Sequence, residues 1–172
     1  QKKKMIIENK FYKKGAVIII CGYTGEGKSP IIKKIISASG LKNKLVFDPR
    51  REYTLKEWTV FYDFDMFRQC MTEARQSAIV FEEATANIGM FKDKELADIY
   101  TASEHNLNVV FMVFHSVADI PINLIRNSHY IILFNTIDTP DSLQGLKKIF
   151  IPLLQYKKPI FVNVRQLVGS EK

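Results

Sequence analysis

Short runs of apolar residues alternate along the chain with longer segments in which apolar residues recur at helical spacing. The runs are continuous and rich in β-branched and aromatic residues, which is typical of strands covered on both faces of a sheet. Strands are predicted at residues 16–21, 45–47, 78–83, 109–114 and 130–134, with a short strand at 5–8 and edge strands at 58–62 and 159–164, the last of them antiparallel.

The segments between these strands carry helical patterns. Helices are predicted at residues 31–38, 65–75, 94–105, 121–126 and 141–150. Strands that alternate with helices in this way indicate βαβ units and a mostly parallel sheet. We therefore predict an α/β fold of three layers, with helices on both faces of a central sheet and a ligand site at the carboxyl edge of the strands.

One glycine-rich stretch joins the first buried strand to the first helix, and it has the complete spacing of a Walker A loop. Its glycines allow backbone N–H groups to converge on a polyphosphate, and the following helix directs its N-terminal dipole at the same anion. Lysine then reaches the terminal phosphates and serine binds Mg²⁺. The predicted nucleotide-binding residues are Gly22, Tyr23, Thr24, Gly25, Glu26, Gly27, Lys28 and Ser29.

Two carboxylates end the third buried strand and form a Walker B candidate. Glu82 is predicted to serve the metal together with Ser29, and Glu83 to act as the general base that deprotonates the attacking water. His115 ends the next buried strand, where it is a candidate sensor of the γ-phosphate. A histidine that only completes a strand end is the alternative. These motifs predict a P-loop NTPase of the RecA/ASCE-like type, with ATP and Mg²⁺ as cofactors.

Phosphoryl transfer also needs a cation to neutralise the charge that spreads over the transferring oxygens. Arg126, in a short predicted helix between two sheet elements, is the preferred candidate, and Arg50 and Arg51 compete with it. A surface role for each of them stays open. Because no arginine is close in sequence to the other motifs, we expect a neighbouring subunit to supply it.

Length and charge bear on the number of domains and on the kind of partner. The 172 residues fit a single domain, 1–172, with its core at about 16–136 and a C-terminal helix and edge strand within 141–164. The net charge of +7 favours polyanionic partners, although lysines crowded near residue 1 contribute much of it. No apolar run is long enough to cross a bilayer, so we predict no transmembrane segment and a cytoplasmic location.

Two other nucleotide-binding classes, GTPases and small-molecule kinases, share part of this pattern. Asn135 to Asp138 imitates the guanine-reading motif of GTPases, but it lacks the lysine, and no Asp-x-x-Gly follows the third strand. A small-molecule kinase also fits the length, but it needs an arginine-rich lid, and Arg68, Arg75 and Arg126 are scattered.

The order of the motifs resembles the FtsK/HerA superfamily of DNA-pumping ATPases. The resemblance rests on the Walker A loop, the segment Asp48-Pro49-Arg50-Arg51-Glu52-Tyr53, the acidic pair after the third strand, His115 after the fourth, and the helix bearing Arg126. In size the chain is most similar to the genome-packaging ATPases of membrane-containing, tailless icosahedral viruses and phages. It departs from their pattern where Glu82 replaces the usual aspartate and His115 the frequent glutamine. Zot-like phage assembly ATPases share these motifs and remain an alternative.

This resemblance implies an ATP-hydrolysing DNA translocase that works as a homo-oligomeric ring, a hexamer or a pentamer, around double-stranded DNA. It further implies an arginine that reaches into the neighbouring subunit's site, viral capsid or membrane proteins as partners, and a place in the host cytoplasm or the virion.

Overall fold

A computed structural model of the chain describes residues 14–136, 138 and 160–163. Within them, one seven-stranded sheet runs through the molecule. Its strands are β1 (Ala16–Cys21), β2 (Asn43–Phe47), β3 (Thr59–Phe61), β4 (Ser77–Phe81), β5 (Val109–Phe114), β6 (Tyr130–Leu133) and β7 (Ile160–Asn163). The predicted strand at 5–8 and the predicted helix at 141–150 lie outside the described residues.

The spatial order of the strands is β3-β2-β4-β5-β1-β6-β7. All neighbouring pairs are parallel except β6 and β7, which are antiparallel. The mostly parallel sheet and the late antiparallel edge strand are thus as predicted. Every parallel strand ends at the same edge, so the loops after β1, β2, β4 and β5 meet there.

The helices lie between the strands. They are α1 (Lys28–Ser39), α2 (Phe64–Glu73), α3 (Ala84–Asn87), α4 (Asp93–His105) and α5 (Ile122–Asn127), with 3-10 turns at Ile88–Met90 and Val117–Asp119. The sequence pattern predicted four of these helices and missed α3, because four residues are too few to show a periodicity. It also extended the third buried strand too far: β4 ends at Phe81, and the acidic pair lies in the turn that follows.

The core has one layer on each face of the sheet, because successive strand residues point to opposite faces. Val17 and Ile19 of β1 pack with residues of α2, α4 and α5, including Phe67, on one face. Ile18 and Ile20 pack with α1 on the other face. This arrangement confirms the predicted three-layer α/β fold.

Candidate functional site

The loop between β1 and α1 owes its shape to two glycines. Gly25 and Gly27 both have φ at +88°, in the left-handed region that L side chains rarely adopt, and a Cβ atom at either would meet nothing within 4 Å. Backbone conformation rather than space therefore demands glycine here. The first turn of α1 contains no acidic residue. The loop and the helix start thus form a concave surface of N–H groups that suits an anion.

Lys28 lies along this loop and is only 7% exposed. Its Nζ donates hydrogen bonds to the carbonyl oxygens of Gly22, at 2.7 Å, and of Tyr23, at 2.6 Å. Burial lowers the pKa of the lysine, and the nearby Glu82 and Glu83 oppose that shift. The ammonium group is thus held at the loop and partly stripped of water, which strengthens its attraction to phosphate.

A cavity of about 350 Å³ opens beside the loop and collects side chains from four strand ends. Thr24, Gly25, Gly27, Lys28 and Ser29 line it, together with Glu82, Glu83, His115 and Arg50. Three of the predicted nucleotide-binding residues do not. A Cβ atom on Gly22 would lie 2.4 Å from Cβ of Phe134, the Tyr23 side chain is 38% exposed, and Glu26 accepts a hydrogen bond from Asn135.

Glu82 and Ser29 form the candidate metal site. Ser29 Oγ lies 3.2 Å from Glu82 Oε1, and that carboxylate is only 8% exposed. Mg²⁺ prefers oxygen ligands, commonly one or two from the protein, with phosphates and water completing its shell. The two side chains fit that requirement. Among the described residues no group of three or more His, Cys, Asp or Glu side chains could hold a metal ion by itself.

Tyr53 holds Glu82 in place, a role that the sequence did not indicate. The Tyr53 hydroxyl donates to Glu82 Oε1 at 2.7 Å. The backbone N–H of Tyr53 donates in turn to the buried carboxylate of Asp48 at 2.8 Å. Burial raises the pKa of the Tyr53 hydroxyl above its usual range, so it stays a donor. Burial also raises the pKa of Glu82, and the hydrogen bonds from Tyr53 and Ser29 oppose that shift.

Glu83 lines the cavity beside Arg50 and His115. Arg50 Nε is 2.9 Å from Glu83 Oε1, and His115 Nε2 is 3.3 Å from each carboxylate oxygen. Glu83 has φ at +56°, and this left-handed turn begins α3. The backbone N–H of His115 donates to Thr85 Oγ1, and its buried Nδ1 has no hydrogen-bond partner among the described residues. The structure therefore brings the predicted base and the predicted sensor into direct contact.

The three candidate arginines are separated by the fold. Arg50, which the sequence offers as a competitor of Arg126, lines the cavity of its own chain and contacts Glu83. The Arg51 guanidinium lies 4.9 Å from the Tyr62 ring centroid. Arg126 is exposed near the end of α5. Three residues later, the backbone N–H of His129 donates to the carbonyl oxygen of Val17 at the beginning of β1. Arg126 therefore lies toward the edge of the sheet where the strands begin, opposite the loop.

The structure also bears on the two rival classes. The Asp138 carboxylate accepts hydrogen bonds from Ser116 Oγ at 2.6 Å and from the Val117 N–H at 2.7 Å. Burial alone would raise the pKa of Asp138, but these hydrogen bonds lower it. This carboxylate is thus engaged in a turn of its own chain rather than free to read guanine. Arg68 pairs with Asp65 and Glu95, and Arg75 lies where the strands begin. Neither arginine extends over the loop.

Comparisons with known proteins support the fold. No protein-family model and no curated protein sequence matches the chain. Among solved structures, the genome-packaging NTPase B204 from Sulfolobus turreted icosahedral virus 2, in complex with ATPγS, superposes with a TM-score of 0.68 at 16% identity, over 89% of this chain and 94% of that chain. The same protein with AMPPCP gives a TM-score of 0.69 at 17% identity.

A more distant likeness is to the pCW3 conjugation coupling protein TcpA with ATPγS, with a TM-score of 0.54 at 15% identity over 76% of this chain and 52% of that chain. The fold and the loop therefore define this chain as one with the α/β fold of P-loop NTPases, and its structural neighbours include a viral genome-packaging NTPase. Within the described part of the chain, no helix combines the length and the apolar character needed to cross a membrane.

The contacts of Tyr53 yield a testable expectation. Tyr53→Phe removes the hydroxyl that donates to Glu82 but keeps the ring, so the carboxylate loses the group that orients it. Loss of such a partner commonly costs about 10-fold to 100-fold in metal affinity or activity. We expect the Mg²⁺ concentration for half-maximal ATP hydrolysis to rise by that factor. Tyr62→Phe is the control, because the Tyr62 ring is 46% exposed and lies under Arg51.

The same variant should change the pH dependence of Mg²⁺ binding. Glu82 must be ionised to bind the cation, so affinity falls as the pH falls through its raised pKa. The Tyr53 hydrogen bond lowers that pKa, and its removal should move the profile to higher pH. An unchanged Mg²⁺ titration and pH profile in a folded Tyr53→Phe protein would show that Tyr53 does not position Glu82.

Proposed function

We propose that this protein is a Mg²⁺-dependent ATPase that moves double-stranded DNA, as a genome-packaging motor does. The observation that carries the proposal is the arrangement of Lys28, Ser29 and Glu82 around one cavity, with Glu83 beside Arg50 and His115. The likeness to a viral genome-packaging NTPase over most of both chains supports the choice of DNA as the partner.

Each residue of the site would have a separate role in ATP hydrolysis. The loop N–H groups and Lys28 bind the terminal phosphates of ATP, while Ser29 and Glu82 hold Mg²⁺. When bound, Mg²⁺ neutralises charge on the β- and γ-phosphates. Glu83 accepts a proton from a water molecule whose oxygen attacks the γ-phosphorus, and the bond to the β-phosphate oxygen breaks to release ADP and phosphate.

Contacts at Glu83 suggest how the site is controlled. In the structure the carboxylate is held by Arg50 and His115 rather than free to face a water molecule. A γ-phosphate in the cavity would compete for Arg50 and for His115, which would release the base when substrate is present. Under this proposal His115 reports the presence of the γ-phosphate through Glu83, and Arg50 neutralises charge in its own chain's site.

The assembly completes the proposal. A homo-oligomeric ring, hexameric or pentameric, would surround the DNA, and Arg126 would face the neighbouring subunit. Because Arg126 is exposed and lies away from its own chain's loop, any part it takes in hydrolysis would be at a neighbour's site. Viral capsid or membrane proteins would be further partners, in the host cytoplasm or at the virion.

Removal of the base separates binding from hydrolysis. Glu83→Gln keeps a side chain of the same size but cannot accept the proton, so ATP hydrolysis should fall about 100-fold to 10,000-fold while ATP still binds. Lys28→Ala should lose binding as well, because it removes the cation at the phosphates. Filter binding of labelled ATP and phosphate release, each with and without double-stranded DNA, measure both quantities.

In this experiment DNA should accelerate phosphate release by the parent protein. Stimulation by a small phosphate acceptor and not by DNA would instead identify a kinase. Hydrolysis by Glu83→Gln at the parent rate would contradict the assignment of Glu83 as the base. If only Glu82→Gln binds ATP without hydrolysing it, Glu82 is the base and Glu83 serves the metal.

A mixing experiment tests the two arginines separately. Arg126→Ala subunits keep an intact loop, and Lys28→Ala subunits keep an intact arginine, so a mixture should regain the activity that each lacks if Arg126 acts on its neighbour. Arg50→Ala mixed with Lys28→Ala is the matched control and should not recover, because Arg50 serves its own chain. An arginine at a neighbour's site can contribute roughly 1,000-fold to 100,000-fold in rate.

The readout is ATPase activity at concentrations where the ring forms. If the mixture with Arg50→Ala recovers activity and the mixture with Arg126→Ala does not, Arg50 is the arginine that acts on the neighbouring subunit. Full DNA-stimulated activity in isolated monomers would exclude a shared site.

A further inference from the structure

A second concave surface lies at the edge of the sheet where β2, β3 and β4 begin, opposite the phosphate-binding loop. It is a groove of about 530 Å³. Four cationic side chains line it, and we call it the basic groove: Lys42 and Lys44 at the start of β2, Lys56 before β3, and Arg75 before β4. With the five residues of β2 at about 3.3 Å each, roughly 15 Å separates it from the ATP site.

The cations of the basic groove are available to a ligand. Lys42, Lys56 and Arg75 are exposed, and Lys44 is half-buried. Glu57 and Glu73 also line the groove. None of the four cations forms an ion pair with an acidic side chain in the described part of the chain, whereas Arg50 and Arg68 do. The groove therefore has an excess of uncompensated positive charge.

Hydrogen bonds fix the turn that carries Arg75. Gln76 has φ at +47°, and its backbone N–H donates to the Asn106 carbonyl oxygen at 2.8 Å. The Asn108 side chain accepts from the Ser77 N–H at 3.1 Å and donates to the Ala74 carbonyl oxygen at 2.7 Å. The backbone of Lys44 is fixed as well, because Lys44 belongs to β2 and pairs there with Ala78 of β4. Backbone positions fixed in this way lower the entropic cost of bringing Lys44 and Arg75 to one ligand.

One aromatic pair joins the basic groove to the ATP site. Trp58 lines the groove, and Lys44 Nζ lies 5.9 Å from the Trp58 ring centroid. The Trp58 and Tyr53 rings meet edge to face with centroids 4.8 Å apart. Tyr53 in turn donates its hydroxyl proton to Glu82. A ligand that moves Lys44 or Trp58 thus acts on a side chain that packs directly against the residue orienting Glu82.

We propose that the basic groove binds the sugar-phosphate backbone of double-stranded DNA, with Trp58 and Tyr53 forming the contact between that surface and the ATP site. The inference rests on the proposed function and names the surface that meets the DNA. The cations come from three separate chain segments along one edge, an arrangement that suits an extended polyanion. No glycine with a positive φ, such as Gly25 or Gly27 of the Walker A loop, lines the groove. The groove therefore lacks a loop of backbone N–H groups that would surround a compact phosphate.

Salt dependence of DNA binding tests the proposal. Each phosphate contact contributes about 0.9 to the slope of log affinity against log salt, so Lys42→Ala with Lys56→Ala should lower its magnitude by about two. Between 50 and 200 mM salt, the parent's affinity should then fall roughly 10-fold more than the variant's. Lys92→Ala with Lys94→Ala is the matched control, because it removes two exposed lysines at the start of α4.

The protein supplies its own probe, because Trp58 is the only tryptophan in the sequence. A mixed-sequence duplex titrated into nucleotide-free protein should change the Trp58 emission in the parent and in the control pair, but much less in the groove pair. ATP binding, followed with a labelled nucleotide, should be unchanged in both pairs and shows that each is folded.

The outcomes distinguish a failure of the basic groove from a failure of the proposed function. If the parent binds DNA and its ATPase is stimulated, yet the groove pair keeps the parental salt slope and emission change, the basic groove is not the DNA surface while the proposed function stands. If the parent neither binds DNA nor is stimulated by it, the proposed function fails and the inference falls with it. A reduced slope in the groove pair alone supports the groove.

Discussion

The candidate site depends above all on the parallel pairing of β1 with β5, of β4 with β5, and of β4 with β2. Parallel strands that share both direction and register end together, so residues from four distant chain segments meet at one edge. Lys28 and Ser29 follow β1, the segment with Arg50 follows β2, the acidic pair follows β4, and His115 follows β5. A strand reversed at any of these positions would carry its polar residues to the edge that bears the basic groove.

Charged side chains buried at this edge lose their hydration, and several hydrogen bonds of the site compensate for that loss. Lys28 and Glu82 are both largely removed from water. Burial lowers the pKa of Lys28 and raises that of Glu82, so it favours the neutral form of each side chain. Two loop carbonyl oxygens accept from the lysine, while Tyr53 and Ser29 donate to the glutamate. These hydrogen bonds offset part of the desolvation and hold both groups where a metal-bound polyphosphate would need them. Active sites commonly trade stability for function in this way.

Much of this arrangement could be predicted from the sequence, because its signals are local. Continuous apolar runs indicated the buried strands, and the spacing of glycine, lysine and serine indicated the phosphate-binding loop. What the sequence missed depends on distant contacts. Tyr53 and Glu82 are 29 positions apart, and nothing in either segment alone indicates that they form a hydrogen bond. The contact between Arg50 and Glu83 also joins distant segments, so no local pattern indicates it. The edge at which Arg126 lies depends on the direction in which its helix returns to the sheet, which the sequence pattern does not give.

Under the proposed function, ATP hydrolysis drives this protein along double-stranded DNA. The most direct measurement is displacement of a labelled third strand from a triplex placed downstream on a long duplex. We expect displacement by the parent protein with ATP and Mg²⁺, none with a non-hydrolysable ATP analogue, and none by Lys28→Ala. Rapid, DNA-stimulated hydrolysis by the parent protein without displacement of the third strand would contradict the claim that the protein is a translocase.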